Sequence, residues 1–240
     1  PRMANSRSYG YFSSGHASDT PTKWTGASSA GTSNWGITSP EFTSTSAGPR
    51  NVGTATDGGA TWTATGTLTT DTQSSNDVYA TTTTPSSDLK ATNFLFSAVP
   101  IPTSATILGI KVEVERKSSV GAGLSNVTEQ ARIIIAGWTA GEVKQSSMVG
   151  LEAEAYITFG GATDMWGGYP FTPADINNSL FGVALTYQRS SGAAETISVD
   201  HVRMTVHYSV PAIIVAGGAA GTITLVSGRK YFCVYTNSST

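Results

Sequence analysis

The chain has 240 residues, 14 Lys and Arg against 16 Asp and Glu, a formal net charge of -2 and only 12% charged side chains. That balance supplies no basic stripe for DNA or RNA, and 1 Cys with 3 His leaves no intramolecular disulfide and at most one thiolate ligand. No apolar run of about 18 residues is present to cross a bilayer as a helix.

From Pro1 to about residue 50 the chain is mostly Ser, Thr, Gly, Ala and Asn, with isolated rings at Tyr9, Tyr11, Phe12, Trp24, Trp35 and Phe42. Such a stretch buries too little apolar surface to offset its own chain entropy. It is expected to be an extended arm that lays single rings, Trp24 and Trp35 among them, into pockets on its own sandwich or on a neighbour. Its first seven residues are basic without the apolar core of a signal peptide, so no secretory route is expected from them.

Residues 51–209 read as strands. Thr106 to Lys117 alternates, with Ile110, Val112 and Val114 on one face and Lys111, Glu113, Glu115 and Lys117 on the other, the signature of a half-buried strand. Arg132 to Ala136 is a continuous apolar run suited to a strand buried on both faces. Glu152 to Phe159 alternates again, with Ala153, Ala155, Ile157 and Phe159 inward. Thr172-Pro173-Ala174-Asp175 signals one helical turn, with Thr172 as cap and Pro173 at the first helical position. Phe181, Val183, Leu185 and Tyr187 then share a face.

In Thr196 to Tyr208 the apolar phase slips. Ile197 and Val199 are odd-numbered, whereas Val202, Met204, Val206 and Tyr208 are even-numbered. A β-bulge at Asp200-His201 restores one inward face, and Asp200 is expected to be structural, accepting backbone N–H groups the bulge leaves free. Residues 210–240 form a Gly/Ala-rich link and two strand-like pieces, Thr222 to Val226 and Lys230 to Thr236. They are too few for a core of their own: they dock on the sandwich, open a further small domain, or complete a sheet in a neighbouring subunit. The lone Cys233 sits in the second piece and reads as a small hydrophobe. The chain is therefore expected to be all-β, an antiparallel β-sandwich of jelly-roll type with an extended N-terminal arm and a C-terminal β extension.

Chemistry-bearing constellations are thin. His201 and His207 share a strand face, but six residues at about 3.3 Å each set them roughly 20 Å apart, too far to share an ion. Glu113 with Glu115, and Glu152 with Glu154, read as solubilising charges rather than opposed catalytic carboxylates. Asp164 and Asp175 could offer oxygens to Ca²⁺ but read first as turn and cap residues. No nucleophile elbow, P-loop or dinucleotide fingerprint occurs. Three sequons, at Asn126, Asn177 and Asn237, are what chance supplies in so Ser/Thr-rich a chain. Hence no catalytic residue, cofactor or metal is expected. Trp166, Tyr169 and Phe171, in a Gly/Pro-rich loop, are the candidate rings for assembly or glycan contacts, but Trp166 is expected first to plug the end of the sandwich between its two sheets, since the Gly and Pro around it suit a ring folded inward over the core edge.

Asn93-Phe94-Leu95-Phe96, Val99-Pro100-Ile101-Pro102, Gly109 to Glu115, Asp164-Met165-Trp166-Gly167-Gly168, Phe181-Gly182-Val183 and Val199 to Val206 together resemble β-sandwich modules in virion proteins of tailed bacteriophages, over roughly Thr61 to Ser209. The resemblance implies a tail, fibre or head-decoration component. Its partners would be copies of itself and other virion proteins, and its place the virion, assembled in the host cytoplasm. It implies no catalytic residues. The alternative expectation is a carbohydrate-binding or host-adhesion module with a host-surface glycan as partner.

Overall fold

In the computed structural model, residues 7–12, 34–36, 43–119, 125–148, 152–192, 194–210, 216–217 and 231–236 are described. The chain divides into two compact units, Ser44–Ser209 and a second made of Pro1–Thr43 with Val210–Thr240.

The second unit carries β1 (Arg7–Phe12), β2 (Asn34–Gly36), β14 (Ala216–Gly217) and β15 (Tyr231–Thr236), in sheet order β1-β15-β2-β14. β15 pairs antiparallel with both β1 and β2. The segment read as an arm and the segment after Val210 thus meet in one sheet, a pairing between chain ends that local pattern cannot reveal. Trp35 lies in β2 opposite Tyr235; Trp24 and Thr222 to Val226 lie outside the described residues.

The larger unit begins at Ser44 rather than Asn51 because β3 (Thr43–Asn51) joins β13 (Thr196–Val210). Between them run β4 (Thr54–Asp57), β5 (Trp62–Thr63), β6 (Ala80–Thr83), β7 (Leu89–Thr92), β8 (Thr106–Ser118), β9 (Ser125–Ile135), β10 (Trp138–Ser147), β11 (Ala155–Gly160) and β12 (Gly182–Gly192). One sheet has the order β10-β9-β12-β7-β4 and the other β11-β8-β13-β6-β5. The ladders along both orders are antiparallel. From β6 to β13 the chain changes sheet at every connection except the β9–β10 hairpin, giving β6-β13-β8-β11 against β7-β12-β9-β10. That is the eight-stranded jelly roll.

Facing residues of the two sheets make the core. Ile110, Val112 and Val114 of β8 and Val202, Met204 and Val206 of β13 are fully buried, as are Ala131, Ile133, Val183, Leu185 and Tyr187 from the opposite sheet. Strand β11 begins only at Ala155, so Glu152, Ala153 and Glu154 precede it. The core also holds charge. The Arg116 guanidinium donates to Glu129 through Nε at 3.1 and 3.2 Å, and Tyr187 donates to the same carboxylate at 3.1 Å. Burial pushes Glu129 up, against the pull of Arg116.

Two short helices interrupt the strands. α2 (Pro173–Ile176) carries the Thr172 cap, with Asp175 reciprocating. α1 (Leu68–Thr72), capped by Thr67, stands where a Thr-rich sequence gave no helical signal. Tertiary context supplies the reason: Asp71, 1% exposed, accepts N–H bonds from Thr65 and Gly66 and anchors the turn.

Candidate functional site

Trp166 is fully buried, as expected of a ring that plugs the end of the sandwich rather than one that contacts a ligand. Its loop turns through three successive positive φ values, Trp166 at 48°, Gly167 at 81° and Gly168 at 78°. Asp164 Oδ1 accepts the Trp166 N–H at 2.8 Å, and the indole Nε1 donates to the Ile110 carbonyl at 3.0 Å. A Cβ on Gly160 would meet that same carbonyl at 2.1 Å and the indole at 2.8 Å, so the ring plugs the sandwich where the chain carries no side chain. Phe171, 5% exposed, packs with half-buried Tyr169 at 4.9 Å. Trp166 and Phe171 are therefore corrected from contact residues to packing residues, since rings with no solvent-facing surface cannot stack on a ligand. Asp164 is tied to Lys144 at 2.9 Å and Asp175 to the Thr172 cap, which are turn and cap duties.

The most exposed ring among the described residues is Trp138, 80% accessible, at the tip of the β9–β10 hairpin. Ala136 at φ 50° and Gly137 at φ 90° make the two-residue turn, with both residues left-handed as a type I′ hairpin requires. A tryptophan one step beyond such a turn, in Ile135-Ala136-Gly137-Trp138, was a signal legible in the sequence. β10 is the edge of a sheet whose outward positions are largely hydroxyls and amides: Gln145, Gln130 and Thr186 lie in one row and Thr128 beside Gln188 in the next. Arg132 and Lys90 flank Ala184 on the same side. These positions alternate with Glu129, Ala131, Leu185 and Tyr187, which are buried inward.

The opposite sheet presents charge. Tyr156, Glu115 and His201 form one outward row and Thr158, Glu113 and Arg203 the next. Arg203 grips Glu113 through two nitrogens at 3.1 and 3.2 Å and stacks over Tyr156 at 4.7 Å. His201 Nε2 lies 3.0 Å from Asn51 Oδ1, an acceptor, so Nε2 carries the hydrogen and Nδ1 accepts from the Tyr156 hydroxyl at 2.7 Å. Burial, with Arg203 nearby, pushes the His201 pKa down and keeps the ring neutral.

The bulge lies at Asp200, between the Val199 and His201 registers. Asp200, 1% exposed, accepts N–H bonds from Asn76 at 2.9 Å and Asp77 at 3.1 Å, both on Oδ2. It thus satisfies a loop crossing from another part of the chain rather than the bulge itself. Oxygens of Asp77, Glu154 and Asp200 lie within 4.8 Å of one another, a grouping that residue spacing in sequence conceals. Glu154, read as a solubilising charge, is half-buried there.

No family model matches the chain, and no curated protein does. Among solved structures it shows similarity to a protein described under "CBM4 structure and function", with 14% identity over 52% of this chain and 82% of that one and a TM-score of 0.30. The CBM22-1 xylan-binding domain from Paenibacillus barcinonensis Xyn10C shares 11% identity over 70% of this chain and 99% of its own, with a TM-score of 0.31. The xylan-binding module CBM15 shares 15% over 68% and 99%, with a TM-score of 0.32.

Proposed function

We propose that the chain is a non-enzymatic adhesion module whose jelly roll binds carbohydrate through Trp138 at the tip of the β9–β10 hairpin. The observation that carries this reading is the 80% exposure of Trp138 at the tip of a tight hairpin. A flat ring stacks on the apolar face of a sugar, a contact that needs no charge to be desolvated.

A glycan array on the full chain, followed by calorimetry on its best ligand, tests the reading. Trp138→Ala should raise Kd at least about tenfold, the scale of a buried aromatic anchor, while Trp166→Phe, inside the core, should leave Kd unchanged. Equal affinities for the Trp138→Ala variant and the parent would refute it.

A second reading, a structural protein of a phage particle assembling with copies of itself and other virion proteins, is favoured by a separate observation. Leu95, Val99 and Leu180 are 50%, 66% and 51% exposed. Their loops leave the sandwich together, since Asn93 donates to the Phe181 carbonyl at 3.2 Å. Aliphatic side chains suit a protein partner better than a sugar.

A further inference from the structure

We propose that Asp77, Glu154 and Asp200 bind one Ca²⁺ ion that staples the loop before β6 to the β13 bulge and to the start of β11. This site is independent of the carbohydrate reading and stands or falls without it.

Three features go beyond the mere proximity of acids. Asp200 is 1% exposed, and while Oδ2 takes two backbone N–H bonds, Oδ1 is buried without a partner. Glu154 Oε1 is likewise buried and unpartnered, as is Oε2 of neighbouring Glu115. Buried carboxylate oxygens in that condition cost free energy unless something positive or hydrogen-bearing meets them. The Tyr79 hydroxyl reaches both Asp77 Oδ1 at 2.9 Å and Glu154 Oε2 at 3.1 Å, yet one hydroxyl has a single proton and satisfies one of them at a time.

Among the described residues no lysine or arginine forms an ion pair with any of the three. Lys117 is placed over the Tyr79 ring at 3.8 Å from its centroid. Like charges crowd instead: burial, then the Asp200 and Glu115 charges, pushes Glu154 up, and burial with Glu115 and Asp77 does the same to Asp200.

The ligand chemistry selects the ion. Every available donor is an oxygen, because both nitrogens of His201 are engaged by Tyr156 and Asn51, which disfavours zinc. Ca²⁺–oxygen distances of about 2.3–2.6 Å put opposed ligands roughly 5 Å apart, whereas Mg²⁺ at about 2.0–2.1 Å draws them closer and demands a stricter octahedron. Oxygens within 4.8 Å of one another accommodate Ca²⁺, whose flexible coordination suits ligands drawn from a bulge and two loops better than a strict octahedron does.

The test uses the full chain after EDTA treatment. Terbium emission sensitised by Tyr79 should saturate at one ion per chain and be displaced by Ca²⁺ well before Mg²⁺. Ca²⁺ at about a hundredfold above Kd should raise Tm by roughly 5–10 °C over EDTA. Glu154→Gln should weaken terbium binding at least about tenfold; should that variant misfold by circular dichroism, Asp77→Asn, at an exposed position, makes the same measurement. Identical melting in EDTA and millimolar Ca²⁺, or terbium binding indifferent to these substitutions, would overturn the proposal.

Discussion

Asp164 shows how one side chain closes a loop and sets a pH limit. Burial alone would push its carboxyl up, but the hydrogen bond from Lys144 and the Trp166 N–H outweigh it and hold it below the ordinary carboxylate value. A carboxyl more acidic in the folded state contributes its full stability above the unfolded value of about 3.9 and loses it as pH falls through the lower folded value. Urea midpoints should therefore drop between pH 5 and pH 3, and Asp164→Asn should show a smaller drop. The difference should be below about 1 kcal/mol, since the ion pair is partly solvated. An unchanged pH profile would remove Asp164 from this role. Asp57, also lowered against its burial by Ser87 and by backbone N–H groups of Trp62 and Gly59, keeps part of the acid sensitivity in that variant.

At the level of elements, the β9–β10 hairpin couples folding to the candidate site. Ala136 adopts φ 50°, a left-handed conformation that costs an alanine roughly 1–2 kcal/mol and that asparagine tolerates better. Ala136→Asn should stabilise the chain by about 0.5–1 kcal/mol in urea titrations and leave glycan affinity unaltered, because Trp138 keeps its place one residue beyond the turn. A loss of stability would mean that the turn is not the source of strain. The bulge in β13 couples elements differently: by shifting the phase at Asp200 it keeps Ile197, Val199, Val202, Met204 and Val206 in one core and directs a carboxylate at the crossing loop.

For the whole molecule, the question is what covers the end of the sandwich that carries Leu95, Val99 and Leu180. If the virion reading holds, light scattering of the intact chain should find discrete oligomers, and Leu180→Asp should shift them towards monomer by burying a charge in the contact. Monomeric mass for the parent at high concentration would set that reading aside in favour of the adhesion module. The pairing of β1 and β2 with β15 bears on the same point, because terminal strands that pair within one chain offer fewer free edges for a neighbour.

Period-two patterning determined the all-β architecture, because side chains alternate across a pleated strand and the core takes one face: β8, β12 and the phase slip in β13 were all legible as sequence. Caps and turns are equally local, so the α2 turn at Thr172 was legible too. What only the tertiary structure decided concerns residues far apart in the chain. The burial of Trp166 depended on its meeting the Ile110 carbonyl and the bare backbone of Gly160. The α1 helix depended on the burial of Asp71, and the meeting of Asp77, Glu154 and Asp200 on the sheet order that brings the loop before β6 and the lead-in to β11 up to the β13 bulge. Alternation is a property of neighbours along the chain, whereas exposure, ion pairing and ligand geometry belong to neighbours in space, and only the closed sandwich defines those.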